Sequence, residues 1–174
     1  MASVHAVPPA FVPTIPFRQV LVIGLGNTLL GDDGVGVHAV HRLAADPHAP
    51  YGFHTLDGGT LVFRLLDAVI RSDAVLFIDA ADLQEPPGTI RLLQQEALGH
   101  YIRRAGRMSA HEAGLVDLLT LAQLDGWDPW RLALLAIQPQ RIDWDDQLSE
   151  PVARALPAAC HTAIATVLAW RAAA

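Results

Sequence analysis

The sequence has little of several residue types that define whole classes of protein. Cysteine occurs once, at Cys160, which excludes an intrachain disulfide and a cysteine-rich zinc site. We interpret Cys160 as a small core residue, and we expect the protein in the cytoplasm because nothing points to an oxidising compartment. Aromatic residues make up only 6% of a chain that is 52% hydrophobic, so its core should be aliphatic.

Positive charge is also scarce. Twelve lysines and arginines stand against 18 acidic residues, for a net charge of -6 at pH 7. Such a chain repels nucleic acid and anionic membranes, and we expect neither as a partner. The densest basic segment, "YIRRAGR" (101–107), is interpreted as a solvated loop.

The length of 174 residues suits one domain. Residues 1–18 contain four prolines and lack the basic and long apolar regions of a signal peptide, so we predict a flexible N-terminal extension. Residues 19–174 are predicted to form the single domain. Its segment 155–170 is too short and too polar to span a bilayer and is predicted to be a packed C-terminal helix.

Apolar runs alternate with helix-periodic segments along the chain. The runs "QVLVIGL", "GFHTL" and "AVLFIDA" predict strands, and residues 34–45 and 60–70 predict helices between them. This order predicts an α/β fold, a mostly parallel sheet with helices on both faces. The run "GTIRLLQ" follows too short a connection for a helical crossover and is expected to be antiparallel, and "RLALLAI" is expected to be the last buried strand.

A glycine-rich turn, "GLGNTLLGDDGVG" (24–36), joins the first strand to the first helix. This is the usual setting of a phosphate site, but the dinucleotide fingerprint fails because Leu29 replaces its third glycine. Asp32 and Asp33 stand where a nucleoside-triphosphate loop has its lysine and hydroxyl residue. Two carboxylates repel a phosphate, and only one of them can cap a helix, so we interpret the turn as a cation site.

A further carboxylate is expected at the same edge of the sheet. Asp57 ends the second strand in "LDGGT", where Gly58 and Gly59 allow a ligand to approach the backbone and Thr60 is a candidate cap for the next helix. Ligands of doubly wound sheets bind at the carboxyl ends of strands near a switch in strand order. We therefore expect Asp33 and Asp57 to lie there.

A histidine completes the candidate site. Ser109 and Glu112 form the S-x-x-E pattern of a capping box, which explains Ser109 better than a nucleophilic role. His111 would then lie in the first turn of a helix, where the dipole favours the neutral, metal-binding imidazole. With Asp33 and Asp57 it would offer a divalent transition metal three ligands and leave positions open.

Other candidates have plainer explanations. His38 and His41 could share a metal but are better interpreted as a solvated pair near the core boundary. Asp79, in "LFIDA", is equally consistent with an acid supporting the site and with a helix cap. The segment "AIQPQRIDWDDQLSEPV", which contains Trp144, is interpreted as a surface loop capped into the last helix at Ser149, with a substrate-facing role as the alternative.

The three stretches "GLGNTLLGDDGVG", "LDGGT" and "MSAHEAGLVDLL", in this order and at these separations, resemble the endopeptidases that mature nickel-iron hydrogenases. The resemblance runs from about residue 19 to about residue 170. It implies a three-layer α/β/α sandwich with a mostly parallel central sheet and one antiparallel strand. It also implies an endopeptidase that removes the C-terminal extension of the hydrogenase large-subunit precursor after nickel insertion.

By this resemblance Asp33, Asp57 and His111 contact the nickel and act in catalysis, with Asp79 as a possible support. The nickel arrives with the precursor, and no obligatory resident metal is expected. The protein is expected to be a monomer. The implied supporting positions in the loops are Gly26, Asn27, Asp32, Gly58 and Gly59. A non-cleaving nickel-checking chaperone, a metal-dependent hydrolase of small molecules and a nucleotide-binding domain remain the alternatives.

Overall fold

The structure is a computed structural model that describes residues 19–47, 53–105 and 110–173. Within these ranges the side chains of residues 53, 104, 105 and 110–113 are outside the description. The predicted extension at 1–18 and the predicted cap at Ser109 therefore lie outside the described residues.

The described residues form five strands and five helices. The strands are β1 Val20–Leu25, β2 Phe53–Gly59, β3 Ala74–Ala80, β4 Ile90–Gln94 and β5 Arg131–Ile137. The helices are α1 Val35–Ala44, α2 Leu66–Ile70, α3 Gln95–Ala105, α4 Ala110–Leu124 and α5 Glu150–Ala172. Short 3-10 turns, Gly31–Gly34 and Val62–Leu65, precede α1 and α2.

The strands form one sheet in the order β2-β1-β3-β5-β4. All neighbouring pairs are parallel except β4 and β5, which confirms the predicted antiparallel strand. The chain passes from β1 to β2 on one side and then to β3 on the other. Strand order therefore switches between β1 and β3, where the carboxyl ends of two neighbouring strands leave a crevice.

Helices cover both faces of the sheet, as predicted. The α1 face carries α1 and α5, which pack on one set of alternate strand residues; the α4 face carries α2, α3 and α4, which pack on the other set. Both cores are mainly aliphatic, with Phe77, Trp127 and Trp170 as their buried aromatic residues among those described. The two cores make the domain a three-layer α/β/α sandwich.

Two expectations about local structure are wrong. The segment "YIRRAGR" was expected to be a loop, but Tyr101–Ala105 completes α3. Arginine is a good helix former, and Leu98 and Ile102, four residues apart, both pack into the α4 face. Thr60 does not cap the next helix, because Leu61 holds the N-cap position there and makes no side-chain cap hydrogen bond.

Helix α5 is longer than the predicted 155–170. At 23 residues, with a hydropathy of 1.4 in its most apolar stretch, it is long and apolar enough to cross a membrane by length and composition alone. Its buried residues Val152, Ala163, Val167 and Trp170 instead pack into the α1-face core. The expectation of a packed helix is confirmed, but the expectation that this segment is too short and too polar to span a bilayer is wrong by length and composition.

Candidate functional site

The glycine-rich turn lies at the switch in strand order. Asp33 is in the 3-10 turn that packs against β3, and its side chain is only 6% exposed. Its Oδ2 accepts a hydrogen bond of 2.8 Å from the backbone N–H of Asn27. The carboxylate that the sequence predicts as a cation ligand is thus held in place from within its own turn.

The glycines of this turn serve backbone packing. Gly26 has a φ of +119°, and a Cβ there would meet the carbonyl oxygen of Asp33 at 1.8 Å. Gly36 lies against β3, where a Cβ would meet the carbonyl oxygen of Ile78 at 2.1 Å. At these two positions the absence of a Cβ allows the backbone to pack closely against itself.

Asp32 has a different task from Asp33. It is fully buried and makes no cap bond to the helix. It accepts hydrogen bonds from the backbone N–H groups of Gln140, Arg141 and Ser149, and from the Ser149 hydroxyl. Asp32 therefore supports a segment more than 100 residues away along the chain and does not cap the helix.

Asp57 is bound on the surface of α1. Its Oδ2 lies 3.0 Å from Nε2 of His41, and its Oδ1 accepts a hydrogen bond from the N–H of Gly59. The carboxylate is 45% exposed and the imidazole 63% exposed. The interpretation of His41 as a solvated residue agrees with this exposure, but the link to Asp57 was not anticipated because the two residues are 16 positions apart.

Strand alternation separates Asp57 from the α4 face. Consecutive side chains point to opposite faces of a sheet, and Leu56 packs on the α4 face, so Asp57 belongs to the α1 face. On β3, Phe77 packs on the α4 face, and Asp79, two residues further, shares that side. Asp79 is 3% exposed, and residues 81–89 after it are not helical, so the helix-cap interpretation is wrong.

Only the backbone of His111 is described. It lies in the first turn of α4, as predicted, on the face of the sheet to which Asp79 belongs. Its side chain is outside the description. Among the side chains that are described, no group of three or more His, Cys, Asp and Glu residues could hold a metal ion. The predicted trio of Asp33, Asp57 and His111 therefore stays a prediction.

Two cavities of the described chain lie at opposite ends of the strands. One of about 290 Å³ is lined by Gly26, Asn27, Asp57, Gly59 and Thr60, with neighbouring residues of α1 and the turn, at the carboxyl ends of β1 and β2. A larger one, of about 910 Å³, lies between α3 and α5 at the start of β5. Four of the residues that line the smaller cavity were predicted for the site. We therefore take the smaller cavity as the candidate site, although the other is larger.

The partly buried imidazole of His38 is expected to make the stability of the fold depend on pH. Its Nε2 is buried with no hydrogen-bond partner among the described residues, and burial, with His41 nearby, lowers the pKa of His38 below its ordinary value of 6.5. The unfolded chain thus takes up this proton more readily than the folded one. The contribution of neutral His38 to the free energy of unfolding should therefore be complete above pH 6.5. It should be lost as the pH falls through the window just below that value.

We expect the urea midpoint to fall less between pH 7.5 and pH 5.5 in His38→Leu than in the wild type. His161→Leu, which removes an exposed histidine of α5, is the control. An equal fall in wild type and His38→Leu would contradict this assignment.

Cys160 and Ser149 complete the predicted positions. Cys160 is buried in the α1-face core, as interpreted, and burial raises the pKa of its thiol. Ser149 occupies the N-cap position of α5 but makes no side-chain cap bond, because its hydroxyl donates to Asp32. The expectation that Ser149 caps the last helix by its side chain is therefore wrong.

The fold and the carboxyl-end edge of the sheet together define a class of protein. It is an α/β/α domain with buried carboxylates, Asp33 and Asp79, at the switch point of a mostly parallel sheet. The family model of hydrogenase maturation proteases (HycI) matches residues 37–166, a stretch that includes Asp57, Asp79 and His111. The chain belongs to this family, and it is a hydrogenase maturation peptidase.

Individual relatives agree with the family model. The hydrogenase expression/formation protein HupD of Rhodobacter capsulatus is 34% identical over 163 residues, which are 93% of this chain and 75% of the relative. The hydrogenase 2 maturation protease of Escherichia coli is 31% identical over 126 residues, 72% of this chain and 76% of the relative.

Solved structures confirm the fold. The hydrogenase maturating endopeptidase HybD from E. coli matches with a TM-score of 0.78 and 28% identity, covering 86% of this chain and 91% of that one. The nickel-iron hydrogenase maturation protease HybD from Thermococcus kodakarensis matches with a TM-score of 0.69 and 28% identity, covering 83% and 96%.

Proposed function

We propose that this protein removes the C-terminal extension of a nickel-iron hydrogenase large-subunit precursor once nickel has been inserted, and that it recognises the nickel carried by that precursor. Family membership supports the protease activity. The observation that supports the nickel requirement is the buried carboxylate of Asp33, held by the Asn27 N–H at the switch point. A negative charge fixed at that edge suits a cation delivered by the substrate.

The metal-contacting set that we propose is Asp33 and His111 with a second carboxylate. The sequence favours Asp57 for that place. Strand alternation favours Asp79, because Asp79 belongs to the α4 face, on which His111 begins its helix, whereas Asp57 is bound to His41 on the other face. Asp57 pairs with Gly24, the next-to-last residue of β1, and Asp79 directly follows the β3 residue that pairs with Gly24. Either carboxylate could therefore approach a nickel ion docked at the end of β1.

In this proposal the nickel bound to the precursor docks against these carboxylates and the imidazole and thereby places the scissile peptide beside them. A water molecule attacks the peptide carbonyl, and a carboxylate of the set accepts its proton. The C–N bond then breaks, and the same carboxyl group returns the proton to the leaving amine. The metal polarises the carbonyl as a Lewis acid. Selectivity follows because neither the precursor without nickel nor free nickel completes the site.

The decisive experiment mixes the purified protein with a nickel-loaded, C-terminally extended large subunit and measures product mass. The shortened product is expected with nickel and not without it. A stable complex without cleavage would favour the alternative function, a non-cleaving nickel-checking chaperone.

The two carboxylates are compared in the same assay. If Asp79 is the second carboxylate of the set, Asp79→Asn abolishes cleavage. Asp57→Asn, which removes an exposed charge paired with His41, then lowers cleavage less. The opposite order would restore Asp57 as the ligand. His41→Gln is the control for the loss of the His41–Asp57 contact alone.

We also propose that the protein acts in the cytoplasm, as a monomer without a resident metal. The single cysteine and the net charge of -6 support the compartment and the absence of nucleic-acid partners.

A further inference from the structure

The segment 139–149, between β5 and α5, is held to the glycine-rich turn by Asp32. That fully buried carboxylate accepts hydrogen bonds of 2.7 Å from the N–H of Ser149 and 2.8 Å from the N–H of Gln140, near the two ends of the segment. Hydrogen bonds to an ionised group are about twice as strong as neutral ones. One side chain therefore fixes both ends of this segment, which we name the Trp144 loop.

The middle of the Trp144 loop is fixed to the same turn by backbone pairing. The N–H of Gly31 donates to the carbonyl of Asp145, and the N–H of Asp145 donates to the carbonyl of Leu29. Within the loop, Arg141 forms an ion pair with Asp145. A loop fastened at both ends and in the middle presents its side chains in one arrangement.

This ordered loop presents large apolar side chains to solvent. Trp144 is 83% exposed and Ile142 is 51% exposed. Leu29, on the backbone segment paired with the loop, is 54% exposed. Tryptophan is among the residues that most often dominate the energy of protein interfaces, and an apolar cluster kept rigid in water is typical of a contact surface.

The charge next to the cluster indicates the partner. Asp143 and Asp146, on either side of Trp144 and Asp145, are exposed, whereas Asp145 is already paired with Arg141. An apolar surface bordered by two carboxylates is complementary to a segment with an apolar side chain and adjacent lysines or arginines. The surface is also continuous with the candidate site, because Leu29 and Asn27 belong to one turn and Asn27 holds Asp33.

We propose that the Trp144 loop is the docking surface for the large-subunit precursor, that it takes an apolar side chain flanked by basic residues, and that Asp32 is its positioning residue. This inference rests on the proposed function, since the occupant is the precursor of that reaction. It goes beyond that function by assigning substrate affinity to residues outside the nickel-contacting set. Docking beside the turn would deliver the nickel and the scissile bond to Asp33.

The first test measures the affinity for the nickel-loaded precursor and the kinetics of its cleavage. Trp144→Ala should weaken binding and raise KM at least about tenfold, as expected for the loss of a central interface tryptophan, with kcat unchanged. Trp144→Phe should restore most of the affinity. Leu124→Ala is the matched control, because Leu124 is 79% exposed at the end of α4.

Each outcome separates this inference from the proposed function. If the wild type cleaves the precursor and Trp144→Ala behaves like Leu124→Ala, the docking surface is refuted and the protease function stands. If the wild type neither binds nor cleaves, both are refuted. A wild-type dimer that Trp144→Ala converts to a monomer would assign the surface to a second copy and overturn the proposal.

The second test addresses the acidic border and the anchor. Asp143→Asn with Asp146→Asn should weaken binding at low salt and lose its effect at high salt. Ser149→Ala, which removes one donor to Asp32, should raise KM, and this effect should vanish in the Trp144→Ala background because both act through one loop. Effects of Ser149→Ala and Trp144→Ala that simply add would refute the anchoring role.

Discussion

Replacing Asp33 with asparagine is expected to lower kcat/KM for the nickel-loaded precursor at least about 100-fold without unfolding the protein. Loss of a group that merely orients a metal ligand already reduces metal affinity or activity by about 10- to 100-fold, and the proposed function makes Asp33 a direct contact. Asparagine has the same shape, and its carbonyl oxygen can still accept the hydrogen bond from the Asn27 N–H. The change therefore removes the charge and spares the turn.

The measurement is precursor cleavage followed by product mass, with circular dichroism to verify the fold. Asp128→Asn is the matched control, because Asp128 is exposed just before β5, at the opposite end of the parallel strands. Cleavage by Asp33→Asn within about threefold of the wild type, a change too small for a lost ligand, would remove Asp33 from the site.

Replacing Gly26 with alanine is expected to destabilise the fold by about 4 kcal/mol, from backbone strain and forced overlap together. The φ of +119° is unfavourable for any residue with a Cβ, and the new atom would meet the backbone oxygen of Asp33 at 1.8 Å. Backbone cannot move aside as a flexible side chain can. The N–H of Gly26 is also bound to the carbonyl of Gly59, so the turn cannot shift alone.

Gly126→Ala separates the two contributions. Gly126 also has a positive φ, of +86°, but nothing lies within 4 Å of its would-be Cβ, so only the strain of about 1–2 kcal/mol is expected. The free energy of unfolding is measured in urea with an unchanged m-value. Equal losses in the two variants would show that the turn relaxes around the added methyl group.

The sheet was largely predictable from the sequence. Its strands are short apolar runs bounded by glycine, proline or acidic residues, and such runs have few other ways to be buried. The short link after β3 predicted the antiparallel β4 because a helical crossover needs a dozen or more residues. Helix α3 was missed because its arginines resembled a solvated loop, although Leu98 and Ile102 have the spacing of a buried helical face.

The types of side chain in the candidate site could be predicted from the sequence, but their arrangement could be predicted only in part. The sequence indicated that Asp33 replaces a phosphate-binding residue and that His111 begins a helix, since both follow from local pattern. It did not indicate that Asp57 lies on the α1 face, bound to His41. Counting alternate residues from Leu56 would have separated Asp57 from the α4 face, but only once the packing of that strand was known.

By itself the sequence determined the order of the strands, most of the helices, the aliphatic core and the sign of the charge at the glycine-rich turn. These depend on residue type and short-range spacing. Only the tertiary structure decided that Asp32 fastens a loop 108 to 117 residues away and that this loop presents Trp144 beside the turn. The physical reason is that a buried carboxylate needs hydrogen-bond donors, and which donors reach it is set by chain packing.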